Sequence, residues 1–283
     1  MTYSKLIFFT ILIFTVISNS VTATPLTANR PFHVIEQLNS NVYINWTSGW
    51  IYSKVTVPIK RPENLSLTEA RLRAVRTAKE MARTELSHGI LLLRVDANGS
   101  FGDYLSKSER LGQGFADIER EYKLLEHTTG EGSVTIRLGS SLFGSSGLIR
   151  RLENSKLNVE NQNQIRLNLP VVADKFSGLM IFIQPSISFM PSLRPSLSLP
   201  SGQRILPLTD NLKGNDIYFK TEEESRNYGR AGERPFKLFA VSALDSTDII
   251  IDDLEAQRIL GNKSLLEAVS LGRVVIILLN NEK

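Results

Sequence analysis

Ser66–Leu86, S-L-T-E-A-R-L-R-A-V-R-T-A-K-E-M-A-R-T-E-L, is the stretch whose reading decides the fold. Ser66 followed three residues later by Glu69 is a capping box, in which each side chain satisfies a free N–H at a helix start. At 100° per residue Leu67, Ala70, Ala74, Val75, Ala78, Met81, Ala82 and Leu86 share one arc. Ala70, Ala74, Ala78 and Ala82 repeat at strict i+4 spacing, and so short a side chain lets a helix axis come close to what it covers. The stretch predicts a helix lying flat on a sheet, stopped at Gly89 as the C′ residue.

Outward from the helix, the sequence supplies that sheet. Asn41–Ile59 is rich in β-branched and aromatic residues, with Gly49 as a break or bulge and Pro58 as the mark of an edge or a strand end. Ile90–Val95 reads as a strand or a continuation of the helix, and Tyr104–Gly114 as a second helix. Ala116–His127 reads as a strand with Ile118, Tyr122 and Leu124 inward. A tight turn at Thr129–Gly132 joins it to Ser133–Leu138, which alternates at period two. Further on, Ser177–Ile183, Phe236–Leu244 and Asp248–Ile251 read as strands, with a hairpin tip at Pro200-Ser201-Gly202. Asp252-Asp253 cap a short helix, Leu254–Leu260, ended by Gly261. Arg273–Leu279 is a closing strand, wholly apolar from Val274 onward, as expected of a central strand buried on both faces.

The fold class expected is α+β: an antiparallel sheet covered by the alanine-ridged helix, followed by a second β-rich α+β subdomain. The expected organisation is a signal peptide at 1–23, an extended leader at 24–40, an N-terminal domain at 41–155, a linker at 156–175 and a C-terminal domain at 176–283. The signal peptide is read from Lys5, the apolar run Leu6–Ile17 and the small residues Val21 and Ala23, with cleavage after Ala23. That run is short for a membrane span, so none is expected after cleavage. The formal charge of +4 is small for 283 residues, so binding of nucleic acid through net charge is not expected. With no cysteine, thiol catalysis, cysteine-ligated metals and disulfides are excluded.

In order, a tryptophan strand (Asn45-Trp46-Thr47-Ser48-Gly49), a helix from Ala70-Arg71 to Leu86 and a hairpin strand from Gly132 to Gly147 resemble a bacterial envelope family. It is the family named for a twenty-kilodalton surface lipoprotein, and the N-terminal domain of flagellar assembly protein T is similar. Phe176–Ile181, Leu193-Arg194-Pro195, Arg230–Lys237, Thr247–Ile251 and Arg273–Ile276 resemble the C-terminal part of longer members. The resemblance implies an α+β fold and a periplasmic or envelope-associated protein, and it supplies no catalytic residue. The family's lipid anchor does not carry over, because this sequence has no cysteine to bear it.

Templates for chemistry fail one by one. Gly139–Ser146 imitates a phosphate loop, but Ser145 stands where the lysine must be. His33, His88 and His127 form no close-spaced ligand pair, and Asp245–Glu255 lacks calcium-loop spacing. No catalytic residue, cofactor or metal site is therefore expected. The binding candidates are the basic helix face, Arg73, Arg76, Lys79 and Arg83, diluted by Glu69 and Glu80, and the tryptophans Trp46 and Trp50. The helix face reads as a solvated, salt-laced surface or as a docking face for an anionic envelope partner. The tryptophans, four residues apart, share a strand face if no bulge intervenes, in the core or as an aromatic platform. The expectation is an exported, non-enzymatic protein of the periplasm or cell envelope that acts through contacts with envelope proteins or polymers. A glycan- or ligand-binding module and a flagellum-associated assembly factor are the alternatives.

Overall fold

A computed structural model describes residues 33–154, 174–209, 212, 214 and 216–280. The expected signal peptide, most of the leader and all but the end of the linker lie outside the described residues. The fold is α+β. The chain opens with β1 (Ile35–Gln37), β2 (Val42–Asn45) and β3 (Trp50–Pro58), then α1 (Leu67–Leu92), β4 (Arg94–Asp96) and β5 (Gly99–Ser100). Two helices follow, α2 (Phe101–Lys107) and α3 (Glu109–Arg120), then β6 (Lys123–Thr129), β7 (Ser133–Ser141) and α4 (Leu148–Asn154). Strands β1, β2, β3, β7 and β6 form one antiparallel sheet in that order.

The capping box is formed: the Ser66 hydroxyl accepts the Glu69 N–H at 3.2 Å, and the Glu69 carboxylate accepts the Ser66 N–H at 2.9 Å. The ridge Ala70, Ala74, Ala78 and Ala82 is buried, against β3 and β7. The approach is close enough for the Ser53 hydroxyl of β3 to reach the Ala82 carbonyl at 2.6 Å. The buried arc is narrower than expected, for Leu67 and Met81 are exposed. Gly89 does not stop the helix. A Cβ there would lie 2.5 Å from Val42 Cγ1, so Gly89 continues the small-residue ridge and α1 runs on to Leu92.

Three further expectations change, one of them in the second half, where Phe236–Leu244 is not one strand but two, Phe236–Phe239 and Ser242–Leu244, in different sheets. Tyr104–Gly114 is not one helix, because Ser108 ends α2 and caps α3 with its side chain. Ala116–Arg120 is helical rather than extended: Ile118 is buried as expected, but from α3. The strand begins only at Lys123 and pairs with β7 through the expected hairpin.

The second half contains β8 (Leu179–Ile183), β9 (Ser196–Ser198), β10 (Arg204–Pro207), β11 (Tyr218–Phe219), α5 (Glu222–Tyr228), β12 (Phe236–Phe239), β13 (Ser242–Leu244) and β14 (Asp248–Ile250). It closes with α6 (Asp253–Leu260), α7 (Lys263–Ser270) and β15 (Val274–Leu278). Strands β11, β15, β8 and β12 form an all-parallel sheet, and β10, β9, β14 and β13 a mixed one. The closing strand β15 is central, between β11 and β8, and Val274–Ile277 are fully buried. Its alternate residues face different clusters: Val274 and Ile276 join the main core, Val275 and Ile277 a smaller one with Met180, Phe182 and Phe219. Burial on both faces explains why every position is apolar. The main core is continuous from Val42 and Ala78 in the first half to Leu193 and Ile249 in the second.

Candidate functional site

Helix α1 covers β3 and β7, but the edge strand β6 projects beyond it. Register shows the consequence. Leu138, Ile136 and Val134 of β7 are buried, whereas their β6 partners Leu124, His127 and Thr129 are exposed. Between the helix flank and this overhang lies a groove of about 370 Å³, lined by Arg76, Lys79, Glu80 and Arg83 from α1 and by Tyr122, Leu124 and Leu138. Three of the four basic residues singled out by sequence meet there. Arg73 is exposed one turn earlier and outside the lining, beside Glu69.

The groove has a fixed end and a free end. Arg83 donates to the Glu119 carbonyl at 2.9 Å, and its guanidinium lies 6.0 Å from the centre of the Tyr122 ring. Ser87 donates to the Glu119 carboxylate at 2.6 Å and lies 3.0 Å from the Tyr122 hydroxyl. Burial, with the Glu119 charge adding to it, pushes the Tyr122 phenol up to about 12, so it stays protonated at neutral pH. Arg76 and Lys79 are exposed and make no ion pair among the described residues. Two cations without an ion pair, with the Glu80 carboxylate beside them in the lining, therefore stand over an apolar floor in which Leu124 is half exposed. Sequence reasoning found the cations through helical spacing. It missed the floor, because nothing in Lys123–Thr129 says that this strand lies at the edge.

The two tryptophans do not share a face. β2 ends at Asn45, and a turn with Gly49 at φ +64° intervenes before β3. Trp46, in that turn, is fully buried, donates its indole N–H to Glu36 at 2.9 Å and meets the Tyr218 ring edge-on at 5.6 Å. It serves the core, not a surface. Trp50 lies on β3 with Tyr52, on the sheet face away from α1. There Trp50, Tyr52 and Tyr43 stack in a row, with centroids 6.1 and 5.0 Å apart, and the Lys123 ammonium sits 5.3 Å from the Trp50 ring centre. Arg137 of β7 is buried beside Tyr52, 3.6 Å from the Glu126 carboxylate.

A third polar cluster joins the halves. Arg94 pairs with Glu36 and donates to the Pro191 carbonyl at 3.1 Å, and the Leu193 N–H reaches the Arg94 carbonyl at 2.9 Å. Tyr104 donates to Asp96 at 2.7 Å, and Arg204 to Asp248 at 3.0 Å. Burial raises the Asp248 carboxyl, with Arg204 opposing the shift. Among the described residues no three His, Asp or Glu side chains come together as a metal ion requires. Nor is any described helix long and apolar enough to cross a membrane.

The second half has a match among known families. Residues 178–281, from the start of β8 through β15, match the family described as Treponema pallidum Tp0624, second domain. The match covers the parallel sheet and the mixed sheet but not the groove, which lies wholly in the first half. No curated protein matches the chain.

Proposed function

We propose that this is an exported, non-enzymatic protein of the bacterial periplasm or cell envelope that works by binding, and that the groove beside α1 is its working surface. The observation that carries the reading is the meeting of Arg76 and Lys79, which outnumber Glu80 and make no ion pair among the described residues, with the half-exposed apolar floor at Leu124. What supports the groove over a merely solvated face is the concavity, in which cations and apolar side chains from two elements converge. The resemblance of the first half to the envelope lipoprotein family and the N-terminal apolar run support export. Expression in a Gram-negative host followed by fractionation tests that part; the expected outcome is a processed periplasmic protein, and an unprocessed cytosolic one overturns it. The groove is tested with fluorescein-labelled poly-L-glutamate and the intact protein. Binding should weaken at least tenfold in Arg76→Glu/Lys79→Glu, whereas no binding, or binding indifferent to the change, removes the groove from the reading.

A second reading rests on the opposite sheet face, where Tyr52 is buried between the partly exposed rings of Trp50 and Tyr43 and the Trp50 edge of the row suits stacking against a glycan ring. Only Trp50 can report such binding, since Trp46 is buried in the core. A panel of cell-wall fragments that leaves tryptophan fluorescence unchanged sinks it.

A further inference from the structure

Resting on the groove as the working surface, we infer that its occupant is an acidic, extended polypeptide segment that adds to the sheet as a sixth strand along β6. Two observations and the general spacing of strands point to this occupant. First, β6 ends the sheet, and its residues from His127 to Thr129 are exposed, so its outer backbone N–H and C=O groups are open to a further strand. Second, the bulge between Leu124 and Glu126 leaves a regularly paired stretch, Glu126–Thr129, as the template. By that spacing, an added strand lies about 4.8 Å beyond β6. Its α1-side residues would then enter the groove as one row of acidic side chains, their carboxylates against Arg76 and Lys79 and their methylenes over Tyr122 and Leu124, with the alternate apolar residues on the other face. From Arg76 to Arg83 is roughly 10 Å along the helix axis. Alternate residues of a strand are roughly 7 Å apart, so two or three acidic positions span the cations. The groove is a cleft between a helix and a strand edge rather than a raised surface, which suits a chain segment and not a flat bilayer. Arg83, tied to Glu119 and Tyr122, marks the closed end of the cleft.

The test uses the intact protein and a labelled ten-residue peptide of alternating Glu and Val, followed by fluorescence anisotropy at low and physiological salt. Its comparison probes are the same peptide with a central Glu-Val pair replaced by Pro-Pro, so that one missing N–H must face β6, and vesicles of phosphatidylglycerol. The alternating peptide should bind, at least tenfold more tightly than the Pro version and than to Arg76→Glu/Lys79→Glu. Hydrogen exchange at the Glu126–Thr129 amides should slow when it binds. Equal binding of the Pro version, or unchanged exchange at those amides, overturns strand addition while leaving the basic groove as a binding surface. Vesicle binding that is lost in the double variant, without peptide binding, replaces the polypeptide by a membrane surface. If no probe responds to the double variant, the groove reading falls as well.

Discussion

Tyr218 is fully buried, and its hydroxyl donates to the Ser192 carbonyl at 2.8 Å while accepting the Ser192 N–H at 3.0 Å. Tyr218→Phe keeps the ring against Trp46 and removes both bonds, leaving a buried backbone N–H and C=O short of a partner. An unsatisfied buried group costs about 1–3 kcal/mol, so the urea midpoint should fall by that equivalent with an unchanged slope. The tyrosines also set an alkaline limit. Burial raises Tyr52 and Tyr218 and pushes Tyr104 and Tyr122 up to about 12, with the Asp96 hydrogen bond adding to the rise at Tyr104. An unfolded tyrosine ionises near about 10, and a phenol that holds its proton in the folded state stabilises the fold only while the unfolded phenol is also protonated. Stability should therefore be level up to about pH 10 and fall as the pH rises toward about 12. Melting temperature against pH, with phenolate absorbance, checks this; all the tyrosines ionising near pH 10 with the fold intact would contradict it.

At the scale of elements, α1 was legible nearly whole, because capping and i+4 spacing are local signals. Its end was not. Gly89 carries the sequence mark of a helix stop, yet its lack of a side chain is used against Val42 of β2. Only the sheet contact distinguishes a glycine that ends a helix from one that lets it come close. The distinction predicts the sign of a substitution. Alanine favours a helix interior by about 1 kcal/mol over glycine. Gly89→Ala should nevertheless destabilise, because its Cβ would lie 2.5 Å from Val42 Cγ1, and forcing extra volume into a packed seam costs about 1–3 kcal/mol. In a Val42→Ala background the clashing methyl is gone and the same change should be neutral or stabilising. The coupling from a double-mutant cycle in urea measures this directly, and additive effects would show that the seam can relax. Ala78→Leu, fully buried on the same ridge, should cost about 1–3 kcal/mol without any such rescue. The groove was half legible for the same reason that α1 was: Arg76, Lys79 and Arg83 share a helix face, but strand order in the sheet is a long-range property. No local pattern in β6 says that α1 stops short of it.

Across the whole molecule, the chain reads as two halves, and the structure joins them through one continuous core. Trp46 explains why that was not legible. Its spacing to Trp50 suggested a shared strand face, and only the left-handed turn at Gly49 sends it into the core against Tyr218. Arg94, Glu36 and Pro191 add a polar tie between the same regions. The parallel order of β11, β15, β8 and β12 was equally out of reach, although the wholly apolar β15 announced its central place. A shared core makes the halves unfold together, so chemical unfolding should be one transition with fluorescence and far-UV circular dichroism superimposed. Trp46→Ala makes the demand sharper. Truncating a buried tryptophan costs about 3–5 kcal/mol. The variant also leaves Trp50 as its only tryptophan, a reporter on the first sheet alone. If the core is shared, Trp50 fluorescence and circular dichroism should shift to lower urea together. Two separated transitions, with Trp50 changing in the earlier one, would show that the halves are only apposed and that Trp46 stabilises its own half.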